Sequence, residues 1–174
     1  MNIVLIGYRG TGKTTVGKHL AQRLQWPLID ADVLLEQRAG RSIREIFATD
    51  GEPAFRELES QILAELVTRD AHILSLGGGV ILRPENRALL KTETQRVVWL
   101  QASADSIYAR MQGDATTADR RPALTAAGGY AEIVRLLTVR EPLYRECADY
   151  IISTEQQSPE QVATEIVFLL QMNH

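Results

Sequence analysis

An uninterrupted apolar run, Ile3-Val4-Leu5-Ile6, passes directly into Gly7-Tyr8-Arg9-Gly10-Thr11-Gly12-Lys13-Thr14. Val16, Leu20 and Leu24 follow at four-residue spacing. The run reads as a strand buried on both faces, and the spacing after it as a helix. Between them lies a match to G-x-x-x-x-G-K-[ST], in the strand-to-helix context this motif needs. A strand buried on both faces needs a sheet covered on both sides, as in an α/β fold. Glycines allow the backbone to curl until successive N–H groups face phosphate oxygens, and the helix adds its positive N-terminal end. Gly10, Thr11, Gly12, Lys13, Thr14 and Thr15 are therefore the candidate triphosphate-binding residues. Lys13 is expected on the β- and γ-phosphates and Thr14 on Mg²⁺. The motif alone says only nucleoside triphosphate.

The rest of the chain keeps the alternation. Pro27–Asp30, Ile73–Leu76, Val97–Leu100 and Asp149–Ser153 read as further strands, with helical patterns between them. Ser42-Ile43-Arg44-Glu45 is a capping box, Pro53 suits a first helical turn, and Ser158-Pro159-Glu160-Gln161 caps a last helix. Alternation of this kind predicts a mostly parallel sheet covered on both sides, a three-layer αβα fold. Ligands are then expected at the carboxyl ends of the strands. Gly113 to Thr125 lacks apolar periodicity, and a long polar loop in a compact domain reads as a lid or a disordered stretch. The 174 residues suit one domain, with the lid at about 112–125.

Composition narrows the function. Hydrophobic residues are 45% and charged residues 24%, and no apolar run approaches the ~20 residues of a membrane span. A formal charge of −3 argues against nucleic acid as the main partner. Without a signal-like leader, a cytoplasmic location is the expectation. Cys147 stands alone among helical apolar residues, so it reads as a core hydrophobe, and His19, His72 and His174 have no ligand-like spacing. There is no N-K-x-D and no strand ending in D-x-x-G, which sets aside a GTP switch. A small-molecule kinase remains, and it needs a second pocket.

Several residues could build that pocket. Asp30 and Asp32 end the second strand, and an i, i+2 pair on extended backbone points both carboxylates one way. One could hold Mg²⁺ through water while the other accepts a hydroxyl proton, or one of them simply caps the next helix. Arg56 flanks the Phe55, Leu58, Ile62 stripe, and Glu59 can hold its guanidinium. Arg140 falls in the stripe Ile133, Leu137, Arg140, Tyr144 and so points inward. A buried guanidinium needs an anion, supplied by a protein carboxylate or by a ligand. Pro142 predicts a local bend in that helix. Gly77-Gly78-Gly79 after a strand is either a ligand's approach to the backbone or a flexible turn. Arg120 and Arg121 in the polar loop could close on a γ-phosphate, or could be an exposed basic pair.

Taken in order, GYRGTGKTTVG, IDAD, IFATDGEPAFRELE, LSLGGGVILRPENR, RRPAL and REPLYRECADYII run over nearly the whole chain. Together they resemble the shikimate kinase family. The resemblance implies a P-loop fold like that of nucleoside monophosphate kinases, with a five-stranded parallel sheet and a mobile lid. It implies transfer of the γ-phosphate of ATP to the 3-hydroxyl of shikimate, a step toward chorismate and aromatic amino acids. Mg²⁺ is the implied cofactor, ATP and shikimate the small-molecule partners, and a monomer the implied state. By motif, Asp30 corresponds to the carboxylate that meets Mg²⁺ through water, and Asp32 to the one that binds shikimate hydroxyls and acts as base. Arg56, Arg140 and the Gly77, Gly78, Gly79 backbone correspond to the shikimate pocket. Arg121 corresponds to the ATP-contacting lid arginine, with Lys13 and Asp32 as the other catalytic residues. Arg110 and the segment 153–159 resemble the adenine-binding surfaces. The competing readings are another small kinase, with gluconate or a nucleotide as acceptor, and a nucleotide-binding protein without catalysis.

Overall fold

The computed structural model describes residues 1–113 and 129–172. Its elements run β1 (Asn2–Ile6), α1 (Lys13–Leu24), β2 (Leu28–Asp30), α2 (Ala31–Ala39), α3 (Ile43–Thr49), α4 (Gly51–Leu66) and β3 (Ile73–Ser75). A 3₁₀ turn (Val80–Leu82), α5 (Pro84–Leu90), β4 (Gln95–Gln101) and α6 (Ala104–Gly113) follow, then α7 (Gly129–Cys147), β5 (Tyr150–Ser153) and α8 (Pro159–Met172). Residues 114–125 of the expected lid, with Arg120 and Arg121, lie outside the described residues.

All strand pairs are parallel, in the order β2-β3-β1-β4-β5. Side chains of a strand alternate between faces, and β1 shows what that demands. Val4 and Ile6 join Leu74, Val97 and Trp99 in one core, closed by Ala31, Leu35, Ile46, Phe55, Ile62, Tyr144 and Cys147. Ile3 and Leu5 join Ile73, Val98, Leu100 and Ile152 in another, closed by Val16, Leu20, Val162 and Ile166. Helices α2 to α5 and α7 therefore cover one face, and α1 and α8 the other. The expected three-layer αβα sandwich with a five-stranded parallel sheet is the observed one.

The local signals act as read. Ser42 and Glu45 form both halves of the capping box at α3. Ser158 and Gln161 exchange side-chain to backbone bonds at α8, at 2.8 and 3.2 Å. Helix α7 continues through Pro142 to Cys147. Cys147 is buried, and desolvation pushes its thiol up to about 11, as befits a core residue. Among the described residues no helix is long and apolar enough to cross a membrane.

β1 sits at the centre, with β3 on one side and β4 on the other, so the chain reverses its direction of travel across the sheet there. The crevice beyond the carboxyl ends of such strands is where an open α/β sheet takes its ligand. Gly7 follows β1, Asp30 ends β2, Gly77–Gly79 follow β3, and Thr154 follows β5. One edge of the sheet therefore collects nearly every residue singled out above.

Candidate active site

The phosphate loop is built by its glycines. Gly7 has φ +140°, and a Cβ there would lie 2.5 Å from the Leu100 carbonyl oxygen, so only glycine lets the chain leave β1 in this direction. Gly12, at φ +91°, is the N-cap of α1. Thr11 is buried and donates its hydroxyl to the Tyr8 carbonyl at 2.8 Å, which closes the loop on itself. Lys13 arches back across it, with Nζ on the carbonyls of Gly7 at 2.8 Å and Tyr8 at 3.0 Å. Its ammonium is thereby held at the loop that would cradle phosphates. Thr14 and Thr15 are exposed on the first turn of α1.

Asp30 serves two neighbours at once. Its Oδ2 accepts from the Thr14 hydroxyl at 2.8 Å, and its Oδ1 accepts from the backbone N–H of Asp32 at 3.1 Å and Val33 at 3.3 Å. The expectation that Asp30 and Asp32 share an extended segment does not hold. The chain turns helical at Ala31, so Asp32 sits in the first turn of α2, on a helix that Asp30 caps. The helix N-terminus brings the second carboxylate to the sheet edge in place of the strand pleat.

The residues expected to line the second pocket meet around Gly78 and Gly79. A Cβ on Gly79 would lie 2.3 Å from an Arg56 guanidinium nitrogen, and one on Gly78 would lie 3.2 Å from the Gly7 carbonyl and 3.4 Å from the Tyr144 hydroxyl. The protein's own groups, Arg56 and the phosphate loop, use the space these glycines leave. Arg56 is buried on α4 and pairs with Glu59 at 2.6 Å and Glu52 at 3.2 Å. Burial holds the Glu59 carboxyl above its ordinary range, against the pull of Arg56. Arg140, buried on α7, points inward as its spacing predicts. It lies 5.6 Å from the Tyr8 ring centre and 3.5 Å from the Gly78 carbonyl, and makes no salt bridge among the described residues.

On the far side of the loop, Arg110 donates to the Gly10 carbonyl at 3.3 Å and to Thr154 at 3.0 Å (Oγ1) and 2.9 Å (carbonyl). Glu155 accepts from the Ser103 N–H and the Ser106 hydroxyl, each at 2.7 Å. The segment after β5 is thus bolted to α6 and to the phosphate loop. The resemblance pointed to Arg110 and to 153–159 but not to these bonds between them, because Thr154 and Glu155 carry no motif. It also missed the salt bridge of Arg9 with buried Glu132, at 3.5 Å, which joins the phosphate loop to the first turn of α7.

A lysine-bearing phosphate loop beside a carboxylate pair and two buried arginines, all on one edge of a parallel sheet, fits a P-loop kinase of a small anionic molecule. The family model described as shikimate kinase matches residues 9–171. A shikimate kinase of Rhodopirellula baltica is 45% identical over 166 residues, which cover 95% of this chain and 88% of that protein. The solved shikimate kinase from Acinetobacter baumannii, in complex with shikimate, is 38% identical with a TM-score of 0.91, over 99% of this chain and 93% of that one. A gluconokinase from Sinorhizobium meliloti, at 15% identity and a TM-score of 0.55 over 99% and 96% of the two chains, shares the fold alone. The chain belongs to the shikimate kinase family and is an ATP-dependent kinase that transfers phosphate to shikimate.

Proposed function

We propose that the pocket between Arg56, Arg140 and the Gly77–Gly79 backbone holds shikimate, with the two arginines on its carboxylate, and that Asp32 takes the proton of its 3-hydroxyl. The observation that carries this is the contrast between the arginines. Arg56 is ion-paired on two sides, whereas Arg140 is buried beside a ring face and a carbonyl and makes no salt bridge among the described residues. A buried cation without a protein carboxylate is costly unless a ligand supplies the anion. Of the two partners left open for Arg140, the ligand is the one this favours.

ATP lies along the phosphate loop, with Gly10, Thr11, Gly12, Lys13, Thr14 and Thr15 around its phosphates and Arg110 toward its base. The oxygen donors Thr14 and Asp30, already in contact, fit a hard cation such as Mg²⁺. When bound, that ion neutralises charge on the β- and γ-phosphates. The 3-oxygen forms a bond to the γ-phosphorus, the bond from that phosphorus to the β,γ-bridging oxygen breaks, the proton passes to Asp32, and ADP leaves. Lys13 stabilises the charge that gathers on the transferred group and the leaving oxygen. Arg121, outside the described residues, is assigned to the γ-phosphate by its motif alone. In this reading the enzyme acts as a monomer, as the family resemblance implies, and dependence on ATP favours the cytoplasm.

The test is ADP release from ATP·Mg²⁺ with shikimate, gluconate and AMP supplied separately, in the parent chain and in Asp32→Asn. Shikimate alone should stimulate release, and Asp32→Asn should lower kcat by about 10²- to 10⁴-fold, the range for a positioned base. Stimulation by another acceptor, or an unchanged kcat in Asp32→Asn, would overturn the reading.

A further inference from the structure

Tyr144 is fully buried on α7, one turn beyond Arg140, and its hydroxyl donates to the Gly78 carbonyl. Its ring stacks on Trp99 of β4, with centres 5.6 Å apart and planes at 29°, so the central sheet fixes where the hydroxyl can reach. Arg140 Nη1 approaches the same carbonyl only to 3.5 Å, the outer limit of a hydrogen bond. The Gly78 peptide is closely packed, since a Cβ there would lie 3.2 Å from the Gly7 carbonyl oxygen and 3.4 Å from the Tyr144 oxygen. Two donors therefore face one buried carbonyl, and the neutral one holds it.

We propose that Tyr144 is a positioning residue for acceptor binding. By satisfying the Gly78 carbonyl it keeps the Arg140 guanidinium available for the substrate's carboxylate, and it fixes the glycine turn on which Arg56 lies. With a phenyl ring in its place the buried carbonyl loses its better donor, a loss that buried acceptors do not tolerate unpaired. Arg140 is the neighbouring donor able to replace it. The guanidinium is then drawn onto Gly78 and away from the acceptor, without any change in net charge.

This inference rests on the placement of shikimate at Arg140, so the experiment includes that residue. In the full chain, Tyr144→Phe, Trp99→Phe and Arg140→Lys are compared for kcat, for KM of shikimate and of ATP, for shikimate affinity by calorimetry, and for thermal midpoint. Tyr144→Phe should raise the shikimate KM and Kd about five- to tenfold, the size of one hydrogen bond, with kcat and the ATP KM within about twofold. Trp99→Phe trims the stack but keeps the hydroxyl, and should raise the shikimate KM less than Tyr144→Phe does. A shikimate KM within twofold of the parent in Tyr144→Phe overturns the proposal. So does an equal rise for both substrates, or a Trp99→Phe effect as large as that of Tyr144→Phe, because packing would then explain it. An Arg140→Lys variant with undiminished shikimate affinity overturns the placement of the acceptor itself. Impaired Arg140→Lys beside normal Tyr144→Phe overturns only the role of Tyr144.

Discussion

The Thr14 hydroxyl donates to Asp30 Oδ2 across 2.8 Å, while Asp30 Oδ1 accepts the N–H groups that begin α2. One carboxylate thus ends a strand, caps a helix and touches the phosphate loop. The roles separate in Asp30→Asn, because asparagine caps a helix as well as aspartate but carries no charge. We expect a thermal midpoint close to the parent's and a loss of about 10- to 100-fold in activity at limiting Mg²⁺. A Mg²⁺ titration of initial rates, run beside a melting curve, checks both halves.

Arg56 and Arg140 should differ in what their loss does to the fold. Arg56→Ala strands the buried Glu59 carboxylate, which costs about 3–5 kcal/mol, whereas Arg140→Ala breaks no salt bridge among the described residues and should cost less. Burial already raises the Glu59 carboxyl, and without Arg56 nothing beside it pulls it back as strongly. A carboxyl raised on folding stabilises in its protonated form, and that contribution is lost as pH rises through its folded pKa. The deficit of Arg56→Ala should accordingly shrink on acidification from pH 7 to pH 5. Denaturant midpoints of both variants at the two pH values decide it.

Gly79→Ala places a methyl where an Arg56 nitrogen now lies, 2.3 Å from its ideal position. Arg56 is held by two glutamates and can yield only by breaking those pairs. The shikimate KM should rise at least about tenfold, roughly the loss of one charged hydrogen bond, with a smaller effect on the ATP KM. Equal effects on both substrates would mean that the turn carries more than Arg56.

Glu132 and Arg9 form a largely buried pair between α7 and the phosphate loop. Glu132→Gln leaves the guanidinium uncompensated and should cost about 3 kcal/mol. Adding Arg9→Met to it should recover at least about 1 kcal/mol, since both charges are then gone. A double-mutant cycle on urea midpoints measures the coupling, and strict additivity would show that the pair contributes nothing.

Cys147 should resist thiol reagents at pH 8 until the chain unfolds. Burial lifts its pKa to about 11, so the folded state keeps its proton where the unfolded chain has released it. That contribution is complete below the ordinary thiol pKa and is lost as pH rises toward about 11. Relative to Cys147→Ala, the parent should lose stability more steeply between pH 9 and 11. The reaction rate of an aromatic disulfide reagent, with and without denaturant, tests the accessibility.

The fold was legible because its signals are local and periodic. The run Ile3–Ile6 reads as buried on both faces whatever surrounds it, and the boxes at Ser42 and Ser158 are complete within four residues. The phosphate loop was legible for the same reason, since its chemistry lies in one contiguous stretch. The i, i+2 pleat argument for Asp30 and Asp32 fails, and the alternative that one of them caps the next helix is the one observed, at Asp30. The pleat argument assumed extended backbone, and the cap at Asp30 starts the helix one residue sooner.

By itself the sequence determined the alternation of elements, the phosphate loop and the inward direction of Arg140, all set by spacing along a single element. Only the tertiary structure decided which charges are already paired. It buried the Arg56–Glu59 pair that helix spacing already allowed, left Arg140 beside a ring and a carbonyl, and gave that carbonyl to Tyr144. It also joined Arg110 to Thr154 and Arg9 to Glu132. Those partners lie 44 to 123 residues apart in the chain, so no periodicity links them. They meet because parallel strands bring all their carboxyl ends to one edge, where packing, and not sequence distance, sets which charges meet.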